Sequence, residues 1–182
     1  MKENFYHGNQ RGNYKMKVVY FQRRPRPFGN FSLENTFDAI RAGLPKEIQA
    51  IKETVSFYSS GLFKRIFISL EVIFKQGDIN HVTGDVNFLA IFLPKRKTLL
   101  TVLDIGMVAN HSNSIKTKIL KFFWFQLPIK RAGTITTISE STKKEWLKHI
   151  NVDEKKLRVV HIPVVGLFKY YPKEFNNKKP VI

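Results

Sequence analysis

The chain has 182 residues, 43% of them hydrophobic and 25% charged, which fits one globular domain with a substantial core and excludes a disordered chain. Lys and Arg number 31 against 14 Asp and Glu, and the net charge of +17 points to an anionic partner: nucleic acid, an acidic membrane surface or a phosphorylated substrate. There is no cysteine, which removes disulfides, thiolate metal sites and a Cys nucleophile and fits a cytosolic setting; no apolar run approaches the roughly 20 residues that cross a bilayer, and the polar start does not read as a signal peptide.

Residues 1–15 are polar and aperiodic and read as a loose leader; Met16 stands directly before the first predicted strand, where translation could begin. Lys17–Gln22 is predicted as a buried strand. The loop after it, Arg23 to Asn30, carries Pro25, Pro27 and Gly29. Ser32 is a candidate N-cap for a helix from Leu33 to Ala42, with Glu34 in its first turn and Gly43 closing it. Glu47–Val55 is predicted as the second strand. Leu62, Phe63, Ile66, Phe67, Leu70, Ile73 and Phe74 keep helical spacing and predict a helix with that stripe facing the core. A brief strand at Ile79–Val82 and a short helix at Val86–Leu93, stopped by Pro94, come next. Then follow a strand at Thr98–Leu103, a helix over Ile115–Ile129, a strand at Thr134–Ile138, a helix over Glu140–Ile150 and a strand at Leu157–Ile162.

Strands and helices alternate throughout, which predicts an α/β fold: a Rossmann-like three-layer sandwich with a mostly parallel sheet, spanning residues 16–171. Residues 172–182 read as a charged linker, and Lys179-Pro-Val-Ile as the opening of a strand in a further domain.

In an open doubly wound sheet, ligands bind outside the carboxyl ends of the strands. That edge gathers Arg23, Arg24, Arg26, Phe28, Gly29 and Asn30 after the first strand and Thr83, Gly84 and Asp85 after the third. Asp104 and Gly106 follow the fourth strand, Ser139 and Glu140 the fifth. The Gly29–Ser32 turn could hold a phosphate on free N–H groups, or simply need glycine to turn. Neither G-x-G-x-x-G nor a Walker A pattern occurs, which argues against a dinucleotide enzyme or a P-loop NTPase. Asp104 either orients or deprotonates a hydroxyl over the cleft, or caps the next turn. His81 and His111 could bind a hydroxyl or phosphate or be structural, and they lack metal-ligand spacing. Ser139 and Glu140 either cap a helix or present its N–H groups to a ligand.

At 100° per residue, Ile115, Ile119, Phe122, Phe123 and Leu127 share one face of their helix and are expected to be core. Trp124 and Phe125 fall outside that face, flanking Lys121 with Lys118 nearby. Such a mixture suits a lipid headgroup layer, unless a neighbouring segment covers it.

Thr134-Ile-Thr-Thr-Ile-Ser-Glu-Ser-Thr-Lys-Lys-Glu, followed by Leu157-Arg-Val-Val-His-Ile-Pro and Val164-Val-Gly-Leu-Phe-Lys-Tyr-Tyr-Pro, resembles the end of the first domain in glycosyltransferase family 4. Ile79-Asn-His-Val-Thr-Gly-Asp, Thr98-Leu-Leu-Thr-Val-Leu-Asp and the Phe28-Gly-Asn-Phe-Ser-Leu-Glu loop are similar to its internal segments, so the resemblance runs from Met16 onward. It implies the amino-terminal half of a GT-B fold, in an enzyme that transfers a sugar with retention from a nucleotide-sugar donor and requires no metal. In that family the first domain mainly holds the acceptor, expected here to be lipid-linked or a polysaccharide, and the positive charge would draw the protein to the anionic cytoplasmic face of a membrane. A carboxy-terminal domain outside this chain holds the nucleotide and a paired-glutamate motif. The resemblance thus implies no cofactor on this domain and no activity of this chain alone. Many relatives carry His before the Asp that ends the fourth strand. This chain has Leu103-Asp104, which leaves Asp104 as the candidate catalytic group. Two alternatives carry different expectations: a basic nucleic-acid-binding domain, against which the spread of charge and the lack of helix-turn-helix, RRM or zinc patterns weigh, and a stand-alone acceptor-binding subunit paired with a donor-binding chain.

Overall fold

A computed structural model describes residues 15–25, 27, 32–104, 114–163 and 172. Strand and helix alternate in the order β1 (Met16–Gln22), α1 (Ser32–Ala42), β2 (Ile48–Thr54), α2 (Leu62–Phe74), β3 (Ile79–Thr83), a 3-10 turn at Asn87–Ile91 and β4 (Thr98–Val102). Then come α3 (Ile115–Lys121), a π-turn at Phe122–Gln126, α4 (Leu127–Arg131), β5 (Thr134–Thr137), α5 (Glu140–His149) and β6 (Leu157–Val159). The six strands form one sheet in the order β2-β1-β3-β4-β5-β6. Every pairing is parallel, so the sheet is not mostly but wholly parallel. The fold is a Rossmann-like three-layer sandwich.

The strand order reverses at β1. The chain steps outward to β2 and then returns past β1 to β3, and right-handed crossovers place α1 and α2 on opposite faces. β1 is apolar on both sides for that reason. Val18 and Tyr20 pack against Leu33 and Phe37 of α1. Val19 and Phe21 join the larger core with Ile68 and Val72 of α2, Val82, Leu100, Trp124, Ile135 and Trp146. Gly77 ends the approach to β3 where a Cβ would stand 2.5 Å from the Lys17 carbonyl oxygen. Only glycine lets the two backbones come so close.

Two expectations about helix faces are overturned. The stripe on α2 predicted to face the core points outward: Phe63 and Phe74 are each 87% exposed, and Ile66, Phe67, Leu70 and Ile73 are exposed as well. The sheet takes the opposite and narrower face, Ile68, Ser69 and Val72. Ser69 turns its hydroxyl back onto the Arg65 carbonyl at 2.7 Å, so its small side chain allows a close approach without an unpaired polar group. α2 is apolar on both sides, and periodicity alone does not say which side meets the sheet. Ion pairs anchor its carboxyl end: Lys75 reaches Glu71 at 2.7 Å and Glu53 of β2 at 3.0 Å.

The second correction concerns Trp124 and Phe125, expected on an outer face. They are only 9% and 6% exposed, packed in the large core, with Trp124 against Phe88 and Phe125 against Trp146. Ile115, Ile119, Phe122 and Phe123, expected inside, are exposed. The cause is the π-turn. One extra residue per turn rotates everything before it by roughly 100° relative to an unbroken α-helix. The turn coincides with Pro128, which has no N–H to give to the Trp124 carbonyl.

The two faces of α2 should respond oppositely to truncation. Ile68→Ala should cost about 2–5 kcal/mol by removing fully buried methyls, while Phe74→Ser should change stability by no more than about 0.5 kcal/mol. Urea unfolding of the two variants measures both.

Candidate functional site

Parallel strands bring all their carboxyl ends to one edge, and two adjoining hollows open there. The larger, of about 370 Å³, lies between Arg23 and Arg24 after β1, Tyr58, Ser59 and Ser60 after β2, Arg65 in the first turn of α2, Asp85 after β3 and Trp124 of the π-turn. The smaller, of about 70 Å³, shares Asp85 and Trp124 and extends past Gly84, Asn87 and Phe125 to Val102, Leu103 and Asp104 at the end of β4.

Arg23 organises the floor. Its Nε donates to Glu34 Oε1 at 3.0 Å and its Nη1 pairs with Asp85. Burial opposes the Arg23 charge, yet the hydrogen bonds it donates to Glu34 and Asp85, with their negative charges, outweigh burial and raise the guanidinium's pKa. The turn that presents Asp85 is left-handed at two consecutive residues, Gly84 at φ +50° and Asp85 at φ +36°. A Cβ on Gly84 would meet Leu33 Cδ2 at 2.9 Å, so a larger residue would have to displace that side chain as well as adopt a left-handed backbone. Asp tolerates the second position better than most side chains.

Among the described residues no carboxylate pairs with the other two guanidiniums. Arg24 donates to the Ser56 carbonyl at 2.9 Å and stands 5.3 Å over the Tyr58 ring. Tyr58 in turn donates its hydroxyl to the Pro25 carbonyl at 3.1 Å, tying the β1 and β2 loops together. Arg65 donates from Nε and Nη2 to the Ser59 carbonyl, at 3.3 and 3.1 Å, and lies 4.2 Å over the Trp124 ring. Burial lowers its pKa. The Ser59 hydroxyl is buried without a hydrogen-bond partner.

Among the candidate residues, Arg23, Arg24, Gly84, Asp85 and Asp104 do border these hollows. Thr83 is fully buried and gives its hydroxyl to the Phe21 carbonyl at 3.1 Å. Ser139 caps α5, accepting from the Thr142 amide at 3.1 Å; exposed Glu140 begins that helix, and neither residue lines a hollow. Lys118 is exposed and Lys121 half-buried on α3. Arg26, Phe28, Gly29, Asn30, Gly106 and His111 lie outside the described residues. Among the described residues no group of three His, Cys, Asp or Glu side chains could hold a metal ion.

His81 sits inside the α1 side of the sheet, away from the strand ends. Its ring packs 4.9 Å from Tyr20 and edge-on to Phe37 at 5.5 Å, and its Nε2 shares a 2.6 Å hydrogen bond with Thr101 Oγ1. Burial, reinforced by the Arg41 charge, pushes its pKa from 6.5 to about 3. His81 is therefore neutral in the folded protein and works as a packing residue.

The loop after β2 was missed as a source of cleft residues. Phe57-Tyr-Ser-Ser-Gly61 has the polar-aromatic character of a binding loop, and every strand of a parallel sheet delivers its following loop to the same edge. Arg65 was hidden in a stretch read for its apolar spacing. Comparison of the sequence with protein-family models matched none, and a search of curated proteins likewise found no match.

Because His81 is held below its unfolded pKa, acid favours the unfolded chain. Stability should be full above pH 6.5 and fall toward pH 3 by about 1.4 kcal/mol per pH unit. His81→Gln should flatten that slope between pH 7 and 5.5, as read by denaturant unfolding at each pH.

Proposed function

We propose that this chain is the acceptor-binding domain of a retaining glycosyltransferase acting at an anionic membrane surface, with the nucleotide-sugar donor held by a further domain or chain. The observation that carries the reading is the cleft where the strand order reverses. Its walls pair aromatic faces, Tyr58 and Trp124, with hydrogen-bonding Arg, Ser and Asp side chains, a combination that suits a sugar ring's apolar face and its hydroxyls. Asp104 at the smaller hollow is the carboxylate placed to orient an acceptor hydroxyl or take its proton. The glycosyltransferase family 4 resemblance of the sequence supports the same assignment.

The membrane part rests on faces other than the one expected from sequence. α2 and the α3–α4 helix pack on the same side of the sheet, so their outward sides look the same way. Phe63, Phe67, Leu70 and Phe74 on α2, and Ile119, Phe122 and Phe123 on α3 and the π-turn, are exposed there, with Lys64 and Lys118 exposed on the same helices. Aromatic and aliphatic groups beside lysines match the chemistry of an anionic headgroup layer. Among the described residues no helix is long and apolar enough to cross a membrane.

In vesicle sedimentation at low salt, the chain should bind phosphatidylglycerol-containing vesicles and not neutral ones. Phe63→Ser combined with Phe67→Ser should weaken that binding about tenfold or more. Equal binding to both vesicle types would remove the membrane part. By calorimetry the chain should show no recognition of the nucleoside, and UDP- or GDP-sugar binding more than tenfold tighter than inorganic pyrophosphate would overturn the division of roles.

A further inference from the structure

The larger hollow is lined by three guanidiniums and one carboxylate, and that carboxylate, Asp85, is engaged by Arg23. Arg23 is also engaged by Glu34. Among the described residues, Arg24 and Arg65 have no acidic partner. A guanidinium carries five N–H donors. Arg24 commits one to the Ser56 carbonyl and Arg65 two to the Ser59 carbonyl, so both retain donors for a ligand. Each is held in place by an aromatic ring, Arg24 by Tyr58 and Arg65 by Trp124, which limits the ordering entropy lost on binding. Ser59, whose carbonyl holds Arg65, also lines the hollow. Neutral sugar hydroxyls do not require two unpaired guanidiniums. A phosphoryl group makes use of both: its oxygens accept from several planar donors at once, and its charge offsets theirs.

We propose that this cleft binds a phosphate or diphosphate group between Arg24 and Arg65, so that the acceptor is a phosphorylated one, its phosphoryl group anchored here. The inference rests on the acceptor reading of the cleft. The aromatic rings then border the group the phosphate carries, and the smaller hollow with Asp104 receives the hydroxyl to be glycosylated.

The test uses inorganic pyrophosphate as the probe, titrated by calorimetry into the 182-residue chain at fixed ionic strength. Saturable binding is expected with a Kd below about 1 mM. Arg24→Gln and Arg65→Gln should each weaken it about tenfold or more, as loss of a charge-assisted donor pair does. Arg24→Lys and Arg65→Lys keep the charge and lose the planar fork; they should still weaken binding several-fold, and they serve if a Gln variant fails to fold. Lys97→Gln removes one charge at the opposite edge of the sheet, just before β4, and should leave binding unchanged. Absence of saturable binding would overturn the site, as would an equal loss in Lys97→Gln, which would mark diffuse attraction to a basic protein. A parallel titration with UDP separates the site from the acceptor reading. UDP binding no tighter than pyrophosphate supports a phosphorylated acceptor. UDP binding more than tenfold tighter, with the same arginine dependence, would leave the anion site standing and assign its phosphate to the donor.

Discussion

β1 carries the architecture because both of its faces are buried and both of its edges are paired. Tyr20 and Val18 on one side and Phe21 and Val19 on the other commit it to the middle of the sheet. The chain then passes to either side of it, to β2 and to β3. The helices that follow β1 and β2 leave toward opposite faces of the sheet, and among the described residues the space over the carboxyl end of β1 is bordered by loops. The larger hollow lies in that space. Its position follows from parallel pairing and handedness before any polar side chain is considered.

The polar groups around that space divide into two sets. Arg23 and Glu34 are nearly buried and pair through Nε and Oε1, with Asp85 bound from the loop after β3. Breaking such a pair leaves a charge without compensation, so these residues stabilise the strand ends and fix the left-handed Gly84–Asp85 turn. Arg24 and Arg65 sit nearer the opening, on aromatic rings and backbone carbonyls. An ion pair consumes both of its charges, whereas a cation placed over a ring keeps most of its capacity to attract an anion. The charge available to a ligand therefore comes from the second set.

The outer face of the helix layer depends on which side of each helix meets the sheet. α2 meets it with Ile68, Ser69 and Val72, and that places its largest side chains outside. The widened turn before Pro128 does the same to the first half of the next helix, moving Phe122 and Phe123 outward while Trp124 and Phe125 close the core. Both choices leave apolar surface on one side of the molecule. A contiguous exposed patch of this kind marks an interaction surface more often than chance does.

The alternation of apolar runs and turn residues was enough to determine the elements and the α/β class, because strand and helix periods differ and Gly, Pro and Ser mark where each stops. It also placed Arg23, Arg24, Gly84, Asp85 and Asp104 at one edge of the sheet, since parallel strands deliver their loops to the same side. What periodicity lacked was phase. It identified an apolar stripe on α2 without saying whether the sheet or solvent would meet it, and it assumed an unbroken 100° step through Phe122–Gln126. It gave no sign that His81 would be enclosed by Tyr20 and Phe37, or that Arg65 would reach across to Trp124. Those outcomes depend on side-chain volume, on the missing N–H of one proline and on contacts between segments distant in sequence, and such contacts exist only once the chain has packed.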